Sequence, residues 1–291
     1  MGLPRILVTG RDGQVGWELR RTLASLGEVV AVGRDALDLA DPDSAARVVR
    51  DLKPQIIVNA AAYTAVDKAE SEEPLARSIN ALTPGAMAVE AKKLGALLIH
   101  YSTDYVFNGQ ATRPYLETDA VDPVSAYGRS KEEGERLIRE SGARHLILRT
   151  AWVYGIRGKN FLLTMLRLAR ERDRLRVVGD QVGSPTWSRL IAEGTASIIA
   201  RSAGDDLQHT LNLTCQGQTS WQGFAAAIVS GGARRGLCPE IPVDAITTAE
   251  YPTPAHRPAY SVLSGQALAD FGFSLPTWDR ALDLCLDDLR S

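Results

Sequence analysis

The sequence is poor in cysteine, with three in 291 residues, at Cys215, Cys238 and Cys285. Their odd number and wide spacing fit neither a zinc site nor a disulfide framework, so each reads as a buried or incidental thiol. Net charge is also small: −2 overall, with a sequence pI near 6.1. There is no basic stripe and no polybasic cluster, which excludes nucleic acid and an anionic membrane surface as partners. No apolar run approaches the ~18 residues of a membrane span. The stretch from Met1 to Gly10 lacks the charged, apolar and small-residue layout of a secretory leader. Internal repeats and low-complexity tracts are missing as well. These absences point to a globular protein of the cytoplasm.

What is present is a regular alternation. Short apolar strands are predicted at Arg5–Thr9, Val29–Val32, Ile56–Val58, Leu97–Tyr101 and His145–Leu148. Helical spacing fills the gaps, over Gln14–Leu26, Pro42–Leu52, Pro74–Leu94 and Ser125–Glu140. Strands alternating with helices imply βαβ units and a parallel sheet covered on both faces. Right-handed crossovers make it doubly wound. Past Thr150 the rhythm loosens. Helices are predicted at Asn160–Glu171, Ser188–Arg201 and after Ser220, with strands at Leu175–Val178 and Leu211–Leu213. The expected fold class is α/β. A Rossmann-type parallel sheet is expected over residues 1–150, also receiving parts of 175–215. A smaller C-terminal α/β substrate-binding lobe is expected mainly from 151–291.

The first strand runs into Gly10-Arg11-Asp12-Gly13-Gln14-Val15-Gly16. Glycines at this spacing, in the first strand-to-helix turn, let backbone amides approach a pyrophosphate at a helix N-terminus. Gly10, Gly13, Gln14, Val15 and Gly16 are therefore expected to line a dinucleotide. The end of the second strand selects the cofactor. Gly33 stands where an acidic residue would bind a ribose 2′-hydroxyl, and Arg34 follows. A guanidinium suits a 2′-phosphate, so NADPH is favoured, with NADH open. Asp35 competes with that reading, since it can neutralise Arg34 or hold the ribose.

Tyr127 and Lys131 are four residues apart and share a helix face. A nearby ammonium is expected to lower the phenol pKa and fit it for proton transfer to a carbonyl that receives hydride. Thr103 ends the fourth strand, where doubly wound sheets bind ligands, and is expected to hydrogen-bond the carbonyl oxygen. Asp104 reads as structural, because a carboxylate repels a developing alkoxide.

These segments, with Asn59 to Glu70, Tyr101 to Gly109, Arg149 to Gly155 and Tyr251 to Pro258, resemble the dTDP-4-dehydrorhamnose reductases over nearly the whole chain. The glycine loop and the Tyr-Lys pair are shared across extended short-chain dehydrogenases; the Asn59 to Glu70 and Tyr101 to Gly109 blocks are more specific. The resemblance implies NADPH-dependent reduction of the 4-keto group of dTDP-4-dehydro-β-L-rhamnose. It implies Thr103, Tyr127 and Lys131 as the catalytic trio. Gly13 to Val15, Asp38, Leu39, Ala62, Tyr63 and Thr64 would line the cofactor, with Tyr101, Tyr127 and Lys131 beside it. Val66, Thr103, Asp104, Tyr105, Tyr127 and Trp152 would meet the sugar, and Arg257 the diphosphate. Trp152 also reads as core, Asp38 as a turn residue and Arg257 as a structural arginine. Some family members are dimers bridged by magnesium on glutamates. Glu18 matches one such position, but Arg189 stands at another, so no bridging metal is expected here. Monomer and homodimer are both compatible with the sequence. The rival readings are an NDP-sugar epimerase or dehydratase of the same fold, and a non-catalytic NADP-binding regulatory subunit. The dehydratase acid pair is incomplete, since Thr103 is followed by Asp104-Tyr105.

Overall fold

The computed structural model describes residues 2–201 and 207–290. The first half alternates as β1 (Arg5–Thr9), α1 (Gln14–Thr22), β2 (Glu28–Val32), α2 (Pro42–Leu52) and β3 (Ile56–Asn59). Short helices α3 (Val66–Ala69) and α4 (Glu73–Arg77) lead through a π-helical turn at Ser78–Leu82 into α5 (Thr83–Leu94). Then come β4 (Leu97–Thr103), α6 (Ala126–Ser141) and β5 (His145–Thr150). The second half holds β6 (Val153–Tyr154), α7 (Phe161–Glu171), β7 (Leu175–Val178), β8 (Val182–Gly183), β9 (Thr186–Trp187), α8 (Ser188–Arg201) and β10 (Gln208–Asn212). It ends with β11 (Thr219–Ser220), α9 (Trp221–Arg234), β12 (Val243–Ile246), α10 (Gln266–Asp270) and α11 (Trp278–Arg290).

Six strands form one parallel sheet in the order β10-β5-β4-β3-β1-β2. Side chains alternate between its faces. Leu7, Ile57, Leu98 and Ile147 pack into one apolar layer with Val49 of α2 and Met87 of α5. Ile6, Val8, Val58, Ile99 and Leu148 point the other way, toward Leu19 of α1 and Ile191 of α8. Both faces are therefore dry, and the strands read as nearly unbroken apolar runs. This is the expected α/β class.

One segment departs from its periodicity. The apolar pattern of Pro74–Leu94 predicts one long helix, but the π-helical turn interrupts it. Pro84 has no N–H to give to the carbonyl of Asn80, so the ordinary i→i−4 bond cannot close there. The freed Asn80 carbonyl faces Gly134 of α6, where a Cβ would sit 2.2 Å from its oxygen. Gly134 thus lets α6 approach the turn closely. The strand Leu175–Val178 does not join the central sheet; it pairs with β12 in a separate parallel ribbon. The predicted Leu211–Leu213 strand lies earlier, at Gln208–Asn212, and adds to the sheet beside β5.

Candidate active site

The sheet brings Thr103 and Thr150 into register at the carboxyl ends of β4 and β5. Beyond Thr103 the chain turns, and the Thr103 hydroxyl accepts from the Tyr105 amide at 3.2 Å and donates to Asp104 Oδ1 at 3.0 Å. Ser125 caps α6 by accepting from the Gly128 amide at 3.1 Å. That cap starts the helix one residue before Tyr127, so the tyrosine faces the end of β4. The Thr103 hydroxyl lies near enough to the Tyr127 phenol to act on its charge, and Lys131 follows one turn later, buried. Thr103, Tyr127 and Lys131 thus stand at one end of the sheet, the Lys131 amine bonding the backbone of β4.

The electrostatics differ from expectation at Tyr127. Burial pushes its phenol up to about 12; the nearby Thr103 hydroxyl draws it down and the Asp104 charge adds to the rise. Lys131 does not lower it. The lysine amine turns instead to the Tyr101 carbonyl, 2.6 Å away, and to His100 Nε2 at 3.0 Å. Burial also drops the Lys131 amine itself to about 7, against a smaller opposing pull from Glu135. A desolvated, half-discharged amine is a weak source of positive potential for the phenol. Tyr127 therefore keeps its proton across the neutral range, which is what a proton donor requires. Asp104 is buried, and burial raises its carboxyl to about 6, with the nearby Ser261 and Thr103 hydroxyls opposing the rise.

One turn past Lys131, Glu135 is fully buried and pairs bidentately with Arg149 of β5, at 2.9 and 2.7 Å. Burial opposes its charge, but Arg149 outweighs that and holds the carboxyl below its usual range. Losing one partner of such a pair strands a buried charge at about 3–5 kcal/mol. The pair locks α6 to the sheet one turn beyond Lys131.

At the glycine loop, a Cβ on Gly16 would lie 2.0 Å from the Gly10 carbonyl oxygen. Only glycine lets α1 sit this close to the strand, which leaves the first amides of the helix pointing out of the turn, a geometry that suits an anion. Gln14 Oε1 accepts from Asn160 Nδ2 at 2.9 Å, and Val15 packs half-buried against the core. At the end of β2, Asp35 is taken by Arg11, at 2.9 Å, rather than by Arg34. Arg34 is exposed and makes no ion pair among the described residues. Arg11 is a second cation at this spot that its place inside the glycine motif conceals.

Asp38 accepts from the Ala40 amide at 2.9 Å, closing a turn, and Leu39 is anchored by the Thr83 hydroxyl at 2.7 Å. Ala62, Tyr63 and Thr64 follow β3 at the same sheet end. Asn80, set in the π-helical turn, clamps Tyr63 through both backbone groups, accepting from its amide at 2.8 Å and donating to its carbonyl at 3.0 Å. It also donates to Ser130 of α6 at 3.0 Å. A proline within a helical pattern, followed back to an asparagine four residues earlier, is the signal that finds this clamp. Tyr101 sends its ring into the core, where its hydroxyl meets Thr195 at 2.6 Å; only its backbone faces the site.

The remaining predicted residues are less uniformly placed. Val66 opens α3 and Tyr105 packs edge-on against Tyr127 with centroids 5.7 Å apart. Trp152 has a φ of 46°, a left-handed conformation that a bulky side chain rarely adopts. Its ring lies face to face with Trp221, at 3.5 Å and 4°. Arg257 forms a bidentate pair with Asp67, at 3.0 and 2.9 Å, and also bonds Thr253. That pair ties the proline-rich C-terminal segment to α3 beside Tyr105. Arg189 lies between two carboxylates, 3.5 Å from Glu18 and in contact with Asp288. Among the described residues, no group of three or more His, Cys, Asp or Glu is placed to hold a metal ion.

Residues 4–291 match the family model of the RmlD substrate binding domain. The chain is 51% identical to a dTDP-4-dehydrorhamnose reductase of Burkholderia thailandensis, over 99% of each chain. It is 44% identical to one of Escherichia coli, over 98% of this chain and 97% of that one. A solved dTDP-4-dehydrorhamnose reductase of Bacillus anthracis, in complex with NADP, superposes with a TM-score of 0.89. The two are 34% identical, over 98% of this chain and 99% of the other. No helix among the described residues is long and apolar enough to cross a membrane.

Proposed function

The chain belongs to the family of dTDP-4-dehydrorhamnose reductases, and from that premise we propose how its residues reduce the 4-keto group of dTDP-4-dehydro-β-L-rhamnose with NADPH. The observation that carries the reading is the contact between Thr103 and Tyr127 at the end of β4, above a glycine loop that only Cβ-less residues can form. When bound, NADPH supplies the hydride. Tyr127 gives its phenol proton to the carbonyl oxygen as negative charge develops there. Thr103 orients that oxygen, releasing its bond to Asp104. Lys131 holds its one uncommitted N–H toward the ribose and Tyr127.

The glycine residues Gly10, Gly13 and Gly16, with Gln14 and Val15, cradle the pyrophosphate. Ala62 to Thr64, Asp38 and Leu39 line the nucleoside side, and Tyr101 contributes its backbone. Val66, Asp104, Tyr105 and Trp152 form the sugar wall. Arg257 faces the diphosphate with the part of its guanidinium that Asp67 leaves free. Residues 1–150, with the strand that returns beside β5, serve the cofactor, and 151–291 mainly the sugar. The enzyme works in the cytoplasm as a monomer or homodimer. The guanidinium of Arg189 supplies between Glu18 and Asp288 the positive charge a bridging metal would bring.

Purified protein mixed with the keto-sugar should consume NADPH one for one, and EDTA should leave the rate unchanged. Reversible loss of activity on chelation, restored by magnesium, would overturn the metal-free assignment. NADPH binding without turnover would favour a regulatory subunit instead.

The pairing of Asp35 with Arg11 leaves Arg34 unopposed beside the 2′-position of the adenosine ribose. Arg34→Ala should raise the Michaelis constant for NADPH about tenfold relative to that for NADH, equivalent to ~1.4 kcal/mol. An unchanged ratio in steady-state assays with both cofactors would remove Arg34 from the site.

A further inference from the structure

Three neighbouring strands carry a polar residue at one register. Thr9 of β1 pairs with Asn59 of β3, and Asn59 with His100 of β4. All three are buried. Two residues earlier on the same strands stand Leu7, Ile57 and Leu98, all part of the apolar layer. A polar row inside such a layer destabilises the fold unless each member is bonded. Here every neighbouring pair is bonded. Thr9 Oγ1 lies 2.6 Å from Asn59 Oδ1, and Asn59 Nδ2 lies 3.0 Å from His100 Nδ1. His100 Nε2 lies 3.0 Å from Lys131 Nζ. The row therefore ends on the lysine beside Tyr127.

We infer that His100 is a positioning residue for Lys131, holding its amine in place and providing a bonded partner for both of its protonation states. This rests on the reading of Lys131 as the helper of Tyr127.

A lysine ammonium has three N–H donors and no acceptor. The Tyr101 carbonyl takes one, His100 Nε2 a second, and one remains for the cleft. With the ammonium present, His100 Nε2 accepts, so Nδ1 carries the proton and donates to the Asn59 amide oxygen. The amide nitrogen then donates to the Thr9 oxygen. With the neutral amine the polarity reverses. The Thr9 hydroxyl donates to the amide oxygen, the amide nitrogen donates to Nδ1, and Nε2–H donates to the amine lone pair. The second arrangement has the Asn59 amide as it stands in the structure, and the first turns that amide over. In both, His100 Nε2 gives the Lys131 nitrogen a bonded partner.

The surroundings leave this task to His100. Burial, with the charge of Lys131 adding to it, holds the imidazole far from protonation, so it changes tautomer and not charge. On α6, Glu135 is committed to Arg149 and Arg139 and gives Lys131 only a longer-range attraction. Past the end of β4, Asp104 is engaged by Thr103. The Tyr127 phenol lies toward Thr103, and the Tyr101 hydroxyl bonds Thr195 on the far side of the sheet.

The test is the pH dependence of kcat and of both Michaelis constants between pH 5.5 and 9.5 for wild type, His100→Gln and His100→Phe. Gln presents an amide that accepts from Lys131 and donates toward Asn59; Phe fills the space with neither. Loss of the acceptor weakens the ammonium more than the amine, because bonds from a charged donor are the stronger ones. In His100→Phe, kcat should fall about 30–100-fold with Michaelis constants within about threefold, and the alkaline limb should move toward acid by at least about half a pH unit. His100→Gln should recover to within about fivefold of wild type. Should His100→Phe not fold, His100→Asn, whose amide stops short of Lys131, is read the same way. A folded variant whose pH profile superimposes on that of wild type overturns the inference, as does failure of Gln to restore it. Lys131→Met is measured alongside. Full activity there overturns the reading of Lys131 and this inference with it. Loss there, with an unmoved profile in His100→Phe, overturns this inference alone.

Discussion

Replacing Tyr127 by phenylalanine should lower kcat by about 10²–10⁴ while leaving NADPH affinity within about threefold of wild type. The phenyl ring keeps the edge-on packing against Tyr105 and the helix that Ser125 caps. Only the hydroxyl that meets Thr103 is lost. The effect should be in kcat, because the proton moves in the transition state and contributes little to ground-state binding. The phenol pKa is pushed up to about 12 by burial, so the donor stays loaded. Wild-type kcat should accordingly show no tyrosine-linked limb below about pH 9, a value set by ordinary phenol chemistry near 10. Stopped-flow and steady-state rates with the keto-sugar measure this directly. A Tyr127→Phe enzyme within a few-fold of wild type would give the proton to another group.

Replacing Lys131 by methionine should abolish turnover, by about 10³ or more, and at the same time raise the melting temperature by about 3–6 °C at neutral pH. Methionine fills the same buried channel without a charge to desolvate. The sign follows from the titration. The folded amine is lowered to about 7 from its usual 10.5. Below the folded value the lysine is charged in both states, and the folded state bears the whole desolvation. Between the two values the unfolded chain binds the extra proton, so wild-type stability rises with pH. Above the unfolded value the penalty is gone. The stabilisation by methionine should therefore be largest below pH 7 and shrink steadily toward pH 10. Calorimetry of both proteins across that range decides it; a melting temperature that falls in Lys131→Met would mean the amine's bonds to His100 and Tyr101 outweigh its desolvation.

Local chemistry explains which parts of this molecule can be read from its residues. The segments Pro42–Leu52, Leu175–Val178 and Ser188–Arg201 form where predicted, because their periodicity and flanking breakers agree. The Pro74–Leu94 helix does not run unbroken, because one missing N–H at Pro84 outweighs an unbroken apolar pattern. The strand Val243–Ile246 escapes notice because its partner, Leu175–Val178, lies far back in the chain and proline precedes it. At the site, Tyr127 and Lys131 announce themselves by a spacing that one helix enforces. Their electrostatics do not, since desolvation depends on what the other elements cover. Asp67 and Arg257 are 190 residues apart, and nothing local links them. His100 looks like a lone histidine in an apolar strand; its meaning depends on cross-strand register and on a lysine from the helix above.

The paired indoles of Trp152 and Trp221 have an optical consequence. Two nearly parallel rings with centroids 3.5 Å apart should couple their electronic transitions and leave a joint signature in circular dichroism. Aromatic rings favour an offset over a full face-to-face overlap, so a sideways displacement of Trp152 would change that coupling. If the sugar meets Trp152 as proposed, its binding should change the ellipticity of the paired indoles, and titration with dTDP-sugar followed by circular dichroism would read that contact without an attached dye.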